Sequence, residues 1–356
     1  MRILILWADE VSPNLGVRAL GSGTASLVRR VWPEAEITFQ NYGHRAREVP
    51  SGRLSSLIKE RLTGTLGMQR WLGTHDLVID TRSGDSFTDA YGLRRLAVMS
   101  AVGEFASQAG VPVVLGPQTI GPFSTRRGRM LARRALRRSA LTMVRDRESA
   151  QRCTRLGFPA GVVTTDVVFA LPPVVAPRTR DILLGISGLL WRQNPHVDSA
   201  HYRGIVTELY QRLVAAGRRV SLLAHVLDSP VADNDVPTLT EFARMTAPDA
   251  ELIVPAGLDD VRSIVASADI VIASRMHACL NALSVGTPAI PLAYSRKFEP
   301  LLRDLGWDRT VDLGSEHAVE RVLEHASQDL HHEAVDVAAR GRHSLERAEA
   351  ALRGVP

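Results

Sequence analysis

Short apolar, β-branched runs alternate with longer helical patterns along most of the chain. In the first half the runs read "RILILWA", "EITFQNY", "HDLVID", "VPVVLG", "LTMVRD" and "GVVTTDVVF". Most lack the in–out alternation of a half-exposed strand, so they suit parallel strands covered on both faces. Helical patterns lie between most of them, such as "GLRRLAVMSAVGEFASQAG", which closes on Gly110 as its terminating glycine. "LPPVVAPRTRD" then breaks the rhythm with three prolines and no periodicity, marking residues 171–180 as a linker. The second half restarts with the strands "DILLGIS", "RRVSLLAHV", "AELIVP", "DIVIAS" and "TPAIPLAY" and the helices "YRGIVTELYQRLVAAG" and "LDDVRSIVASA". The pattern predicts an α/β protein of two Rossmann-like, doubly wound domains facing a cleft. The expected divisions are residues 1–175, 176–335 and a C-terminal helix over 336–356.

Composition changes this picture little. A chain of 356 residues suits two domains, and 45% hydrophobic with 23% charged residues is ordinary for a globular protein. The net charge is +5, and all but two of the 43 basic residues, Lys59 and Lys297, are arginine. Such a surface favours anionic partners. Nucleic acid is not expected among them, because few aromatics accompany the basic runs and no helix-turn-helix or zinc-finger pattern appears. Cys153 and Cys279 sit in apolar helical patterns, as buried free thiols in a reducing compartment would. "MRILILWADE" does not read as a signal peptide, and no segment reaches the length of a membrane span. The expected location is cytoplasmic, at or near the inner membrane surface. The arginines of "STRRGRMLARRALRRSA" (Arg127, Arg129, Arg133, Arg134, Arg137 and Arg138) read first as a solvated face; they also suit peripheral contact with an anionic membrane.

Loops that follow parallel strands carry the candidate chemistry. Asn14 and Gly16 precede a helix whose free N–H groups favour an anion. Gly84 allows close backbone approach, and Asp80, Asp85 and Asp89 are candidate bases or hydroxyl acceptors. Gln118 is placed to line a polar pocket. Arg145 ends another strand and can grip a phosphate or carboxylate with paired hydrogen bonds. The strongest signal is "DIVIASRMHACLNAL". Ser274 is expected to cap the next helix, Arg275 to lie at the strand end and His277 in the first helical turn, beside the positive end of the helix dipole. Lys297, in "SRKFEP" after the neighbouring strand, adds a third cation. No Cys/His/carboxylate cluster calls for a metal.

With these residues in place, the chain resembles the polysaccharide pyruvyl transferase family. The resemblance rests on "NLG", "DLVIDTRSGDSFTDAYG", "LGPQTIGPF", "VRDRES", "TTDVVFAL", "DIVIASRMHA" and "GTPAIPLAYSRKFEPLLRDLG", in that order along the chain. It implies a GT-B-like pair of Rossmann domains, and transfer of the pyruvyl group of phosphoenolpyruvate onto two sugar hydroxyls, giving a cyclic ketal and phosphate. It further implies that Arg145, Arg275, His277 and Lys297 form the phosphoenolpyruvate site, on the C-terminal side, with the sugar or lipid-linked glycan acceptor on the N-terminal side. No cofactor is expected beyond phosphoenolpyruvate as co-substrate. The chain departs from the family at Val17, where an acidic residue is frequent, and at "TRSGDSF", where a glycine-rich run is frequent.

From the charges, His277 is the expected acid and Lys297 the expected neutraliser of the departing phosphate, with Asp85 as candidate base. Two alternatives stay open at this point. One is a GT-B-type glycosyltransferase with a nucleotide-sugar donor; the other is a non-catalytic sugar- or anion-binding homologue.

Overall fold

The computed structural model describes residues 1–42, 52–229, 233–295 and 298–355. Lys297 lies outside the described residues. The architecture is α/β, with two six-stranded sheets and helices connecting the strands. The first sheet holds β1 (Arg2–Leu6), β2 (Glu36–Gln40), β3 (Leu77–Asp80), β4 (Val113–Gln118), β5 (Leu141–Val144) and β6 (Val162–Val163), in the order β2-β1-β3-β4-β5-β6. The second holds β7 (Arg180–Gly185), β8 (Val220–Leu223), β9 (Leu252–Ile253), β10 (Ala268–Ala273), β11 (Ala289–Ala293) and β12 (Val311–Asp312), in the order β12-β11-β10-β7-β8-β9. Every pairing within the sheets is parallel.

Burial explains the apolar runs. All four residues of β3, all six of β4 and all five of β11 are buried, as helices on both sheet faces require. Gly110 has φ +81° just past the helix Leu93–Gln108, a conformation that favours glycine. The run "GVVTTDVVF" is a strand only over Val162–Val163; its second half turns into a 3-10 helix, Val167–Ala170, capped by Asp166.

The chain divides into two compact units. One comprises Met1–Glu10, Leu20–Leu171 and Arg342–Pro356; the other comprises Val11–Ala19 and Pro172–Gly341. The change of unit at Leu171 falls at the edge of the proline-rich linker. The partition differs from the expected divisions at 175/176 and 335/336 in two places. Residues 11–19 associate with the second unit because the chain there pairs with the end of β8: Asn14 bridges Val226, the Leu15 N–H donates to the His225 carbonyl at 3.1 Å, and the Leu227 N–H donates to the Pro13 carbonyl at 2.8 Å. The last helix runs His331–Arg353, and its final part returns to the first unit. Among the described residues no helix is long and apolar enough to cross a membrane.

Candidate functional site

In the second sheet the chain adds β8 and β9 on one side of β7 and β10 to β12 on the other. Strand order therefore reverses between β7 and β10, the position where open α/β sheets bind ligands beyond the strand carboxyl ends. The residues found there are polar and tightly packed. Ser187 and Gly188 follow β7, His225 follows β8, and Ser274 and Arg275 follow β10. Gly188 is required sterically, since a Cβ there would lie 2.0 Å from the Asn234 carbonyl oxygen.

Ser274 does not cap the next helix. Its buried hydroxyl instead shares a 2.8 Å hydrogen bond with the Tyr202 hydroxyl, which also accepts the Ser187 N–H at 2.9 Å. The cap position of Met276–Ser284 belongs to Arg275, without a side-chain capping bond. Arg275 is no bare cation either. Its Nε and Nη2 donate to Asp235 Oδ1 at 3.2 and 2.6 Å, and Nη2 also donates to Asp233. Burial works against the guanidinium charge, but the two carboxylates outweigh it and hold the proton more tightly than in free arginine.

His277 is half-buried in the first turn of Met276–Ser284. Gly16 packs against it, because a Cβ on Gly16 would stand 3.0 Å from both Cβ and Nδ1 of His277. Asn14 fixes that approach by accepting the Gly16 N–H at 2.9 Å. The Asn14–Gly16 turn is thus brought to His277 inside the second unit, not to an N-terminal acceptor loop.

Three partners escaped the spacing argument: His225, Asp235 and Asn281. His225 is buried and its pKa is lowered to about 3, first by burial, with His277 and Arg275 adding and Asp235 opposing. Its Nε2 lies 3.2 Å from Asn281 Nδ2, while Asn281 Oδ1 accepts from Arg262. With the amide so oriented, a neutral His225 accepts at Nε2 and carries its proton on Nδ1. The signal available was a histidine ending an apolar strand run, "SLLAHV".

A pH effect on stability follows. The folded state binds its His225 proton more weakly than the unfolded state, whose histidine titrates near 6.5. Stability is therefore full above about pH 6.5 and falls as pH drops toward 3. Between pH 7 and pH 5 this residue is expected to remove about 2 kcal/mol. Urea unfolding of the wild type and His225→Gln at both pH values measures it; equal losses in the two proteins would contradict the assignment.

The first sheet reverses between β1 and β3. Trp7, Arg82 and Ser83, at or near these strand ends, have φ of 67°, 47° and 51°, which costs a non-glycine residue about 1–3 kcal/mol each. Ser83 Oγ donates to the Trp7 carbonyl at 3.1 Å and ties the two loops together. Asp80 is not an open base: it is fully buried, paired to Arg82 Nε at 2.7 Å, and burial pushes its carboxyl pKa up despite that partner. Asp85 is half-buried and accepts the Tyr91 hydroxyl at 2.9 Å. Asp89 faces the opposing effect of burial, but hydrogen bonds from Thr125 and Ser124 together hold it below the usual carboxylate range. Its role is to fix the turn before the helix Arg126–Arg138.

Gln118 is buried and donates from Nε2 to the Asp80 carbonyl at 3.0 Å, while its Oε1 has no hydrogen-bond partner among the described residues. Arg145 is also fully buried. Its Nη1 pairs with Asp166 at 2.7 Å and its Nε donates to Thr119 Oγ1 at 2.8 Å, leaving Nη2 with no hydrogen-bond partner among the described residues. A cavity of about 290 Å³ between the helices Leu93–Gln108 and Arg126–Arg138 contains none of these candidates apart from Asp80. Among the described residues no group of three or more His, Cys, Asp or Glu side chains could hold a metal ion.

Residues 14–296 match the family described as polysaccharide pyruvyl transferase, which is most of the chain. The chain belongs to the polysaccharide pyruvyl transferase family and is a transferase of polysaccharide biosynthesis. No curated protein matches it. Solved structures share its fold at low identity. The UDP-GlcNAc 2-epimerase of Methanocaldococcus jannaschii is 12% identical, with TM-score 0.59 and coverage of 99% of both chains. The S. aureus MnaA–UDP co-structure is 14% identical, with TM-score 0.60 and coverage of 98% of this chain and 94% of that one. The Neisseria meningitidis UDP-GlcNAc 2-epimerase bound to UDP-GlcNAc is 12% identical, with TM-score 0.57 and coverage of 99% and 98%. At such identities the likeness shows the fold alone.

Proposed function

We propose that the protein transfers the pyruvyl group of phosphoenolpyruvate to two hydroxyls of a glycan or glycan precursor, forming a cyclic ketal and releasing phosphate. The observation that carries this reading is the Arg275–His277 pair at the switch point of the second sheet, at the start of a helix. Free N–H groups and the helix dipole favour an anion there.

In the proposed sequence C3 of phosphoenolpyruvate takes a proton, and positive charge develops at C2. One sugar hydroxyl adds to C2, phosphate leaves, and the second hydroxyl closes the ring. Two hydroxyl protons are released; one balances the new methyl group and the other the departing phosphate. His277 is assigned the proton delivery. Arg275 orients the donor, and Lys297 is assigned to the negative charge growing on phosphate. Asp85 is assigned to accepting a hydroxyl proton, and Arg145, buried on Asp166 and Thr119, to a supporting role within its own unit. Asn14 and Gly16 act by holding the first helical turn against His277. Ser274 and Gln118 support rather than touch the ligand, given their buried partners.

Sugar binding is favoured by the family and by the sugar-nucleotide enzymes that share the fold. Those neighbours also define the rival reading, a nucleotide-sugar enzyme. Calorimetric titration with phosphoenolpyruvate and UDP-GlcNAc separates the two. Association with an anionic membrane surface remains part of the proposal, resting on the seven arginines and no acid of the helix Arg126–Arg138.

A further inference from the structure

Arg275 carries two carboxylates of different character. Asp235 is 1% exposed and is held by three backbone donors: Gly188 N–H at 2.9 Å, His225 N–H at 3.1 Å and Val226 N–H at 2.8 Å. Its Oδ1 meets Nε and Nη2 of Arg275 along one edge of the guanidinium. Asp233 is 38% exposed, and Arg275 is its hydrogen-bonding partner among the described residues. One arginine facing two aspartates leaves the group net negative, which is a poor place for an anionic ligand. A second carboxylate on an already neutralised guanidinium, in a partly open position, sits where a ligand's own carboxylate would be expected.

We propose that the two aspartates have opposite roles. Asp235 is a positioning residue that fixes the Arg275 guanidinium. Asp233 is a displaceable stand-in that occupies Arg275 until the carboxylate of an anionic substrate replaces it. The inference rests on the phosphoenolpyruvate reading, and it makes Asp233 a determinant of affinity for carboxylate-bearing donors.

Phosphoenolpyruvate titration of the wild type, Asp233→Ala and Asp235→Asn tests it. Removing Asp233 abolishes a competing contact of the size of a surface ion pair and one repelling charge, so affinity should rise about three- to tenfold, with the melting temperature little changed. Asp235→Asn should weaken binding about ten- to a hundredfold, and that loss should vanish in an Arg275→Gln background, because the residue acts through Arg275. A purely structural role would move both variants in the same direction and persist without Arg275. If the wild type binds phosphoenolpyruvate but Asp233→Ala binds it equally or more weakly, this inference fails while the donor reading stands. If neither the wild type nor Asp233→Ala binds it, the donor reading fails and takes the inference with it. Since Asp233 is partly exposed, its variant keeps the test decisive even if Asp235→Asn does not fold.

Discussion

His277→Ala is expected to lower turnover about 10²–10⁴-fold, the usual worth of a positioned acid or base. The fold should survive. His277 is only half-buried, and alanine is the best helix former for the first turn it occupies. The loss should fall on kcat more than on KM, because a proton delivered in the transition state contributes little to ground-state binding. Phosphate release from phosphoenolpyruvate, measured over a panel of sugar acceptors with a circular dichroism melt as control, reads both quantities. Turnover within a few-fold of wild type would remove His277 from the chemistry.

Arg145→Met is expected to destabilise the protein by about 3–5 kcal/mol, because it strips the guanidinium from a buried carboxylate. Asp166 is 1% exposed and lies 2.7 Å from Arg145 Nη1, so its charge cannot turn to water. Removing both charges at once should cost much less: the double variant Arg145→Met with Asp166→Asn, which keeps an acceptor for the Val168 N–H, should recover most of the loss. Urea midpoints of the single and double variants give the answer. A single-variant loss below about 1 kcal/mol would mean that the pair behaves like a surface salt bridge.

Sequence carried much of this fold because parallel strands announce themselves as apolar runs. "DIVIA" and "AIPLA" are buried throughout except Asp269, and both were legible as parallel strands covered on both faces. β12 was missed, since two residues, Val311 and Asp312, leave no periodic trace. Long-range pairing was invisible for the same reason. Nothing local in "SPNLG" indicates that it bridges Val226, so the turn was read with the first half of the chain. At the candidate site, position was legible and partnership was not. Arg275 and His277 could be placed at a strand-to-helix junction from their spacing. Arg275's ion pair to Asp235, 40 residues away, and Ser274's bond to Tyr202, 72 residues away, depend on which strands become neighbours in the sheet. Those contacts turned an expected patch of free cations into a neutralised, oriented arginine.

The identity of the donor is decided by one calorimetric comparison. The intact protein is titrated with phosphoenolpyruvate and, separately, with UDP-GlcNAc at the same pH and low ionic strength. Saturable binding of phosphoenolpyruvate that weakens with added salt is expected, with no saturable binding of UDP-GlcNAc. Saturable binding of UDP-GlcNAc with none of phosphoenolpyruvate would contradict the proposed donor.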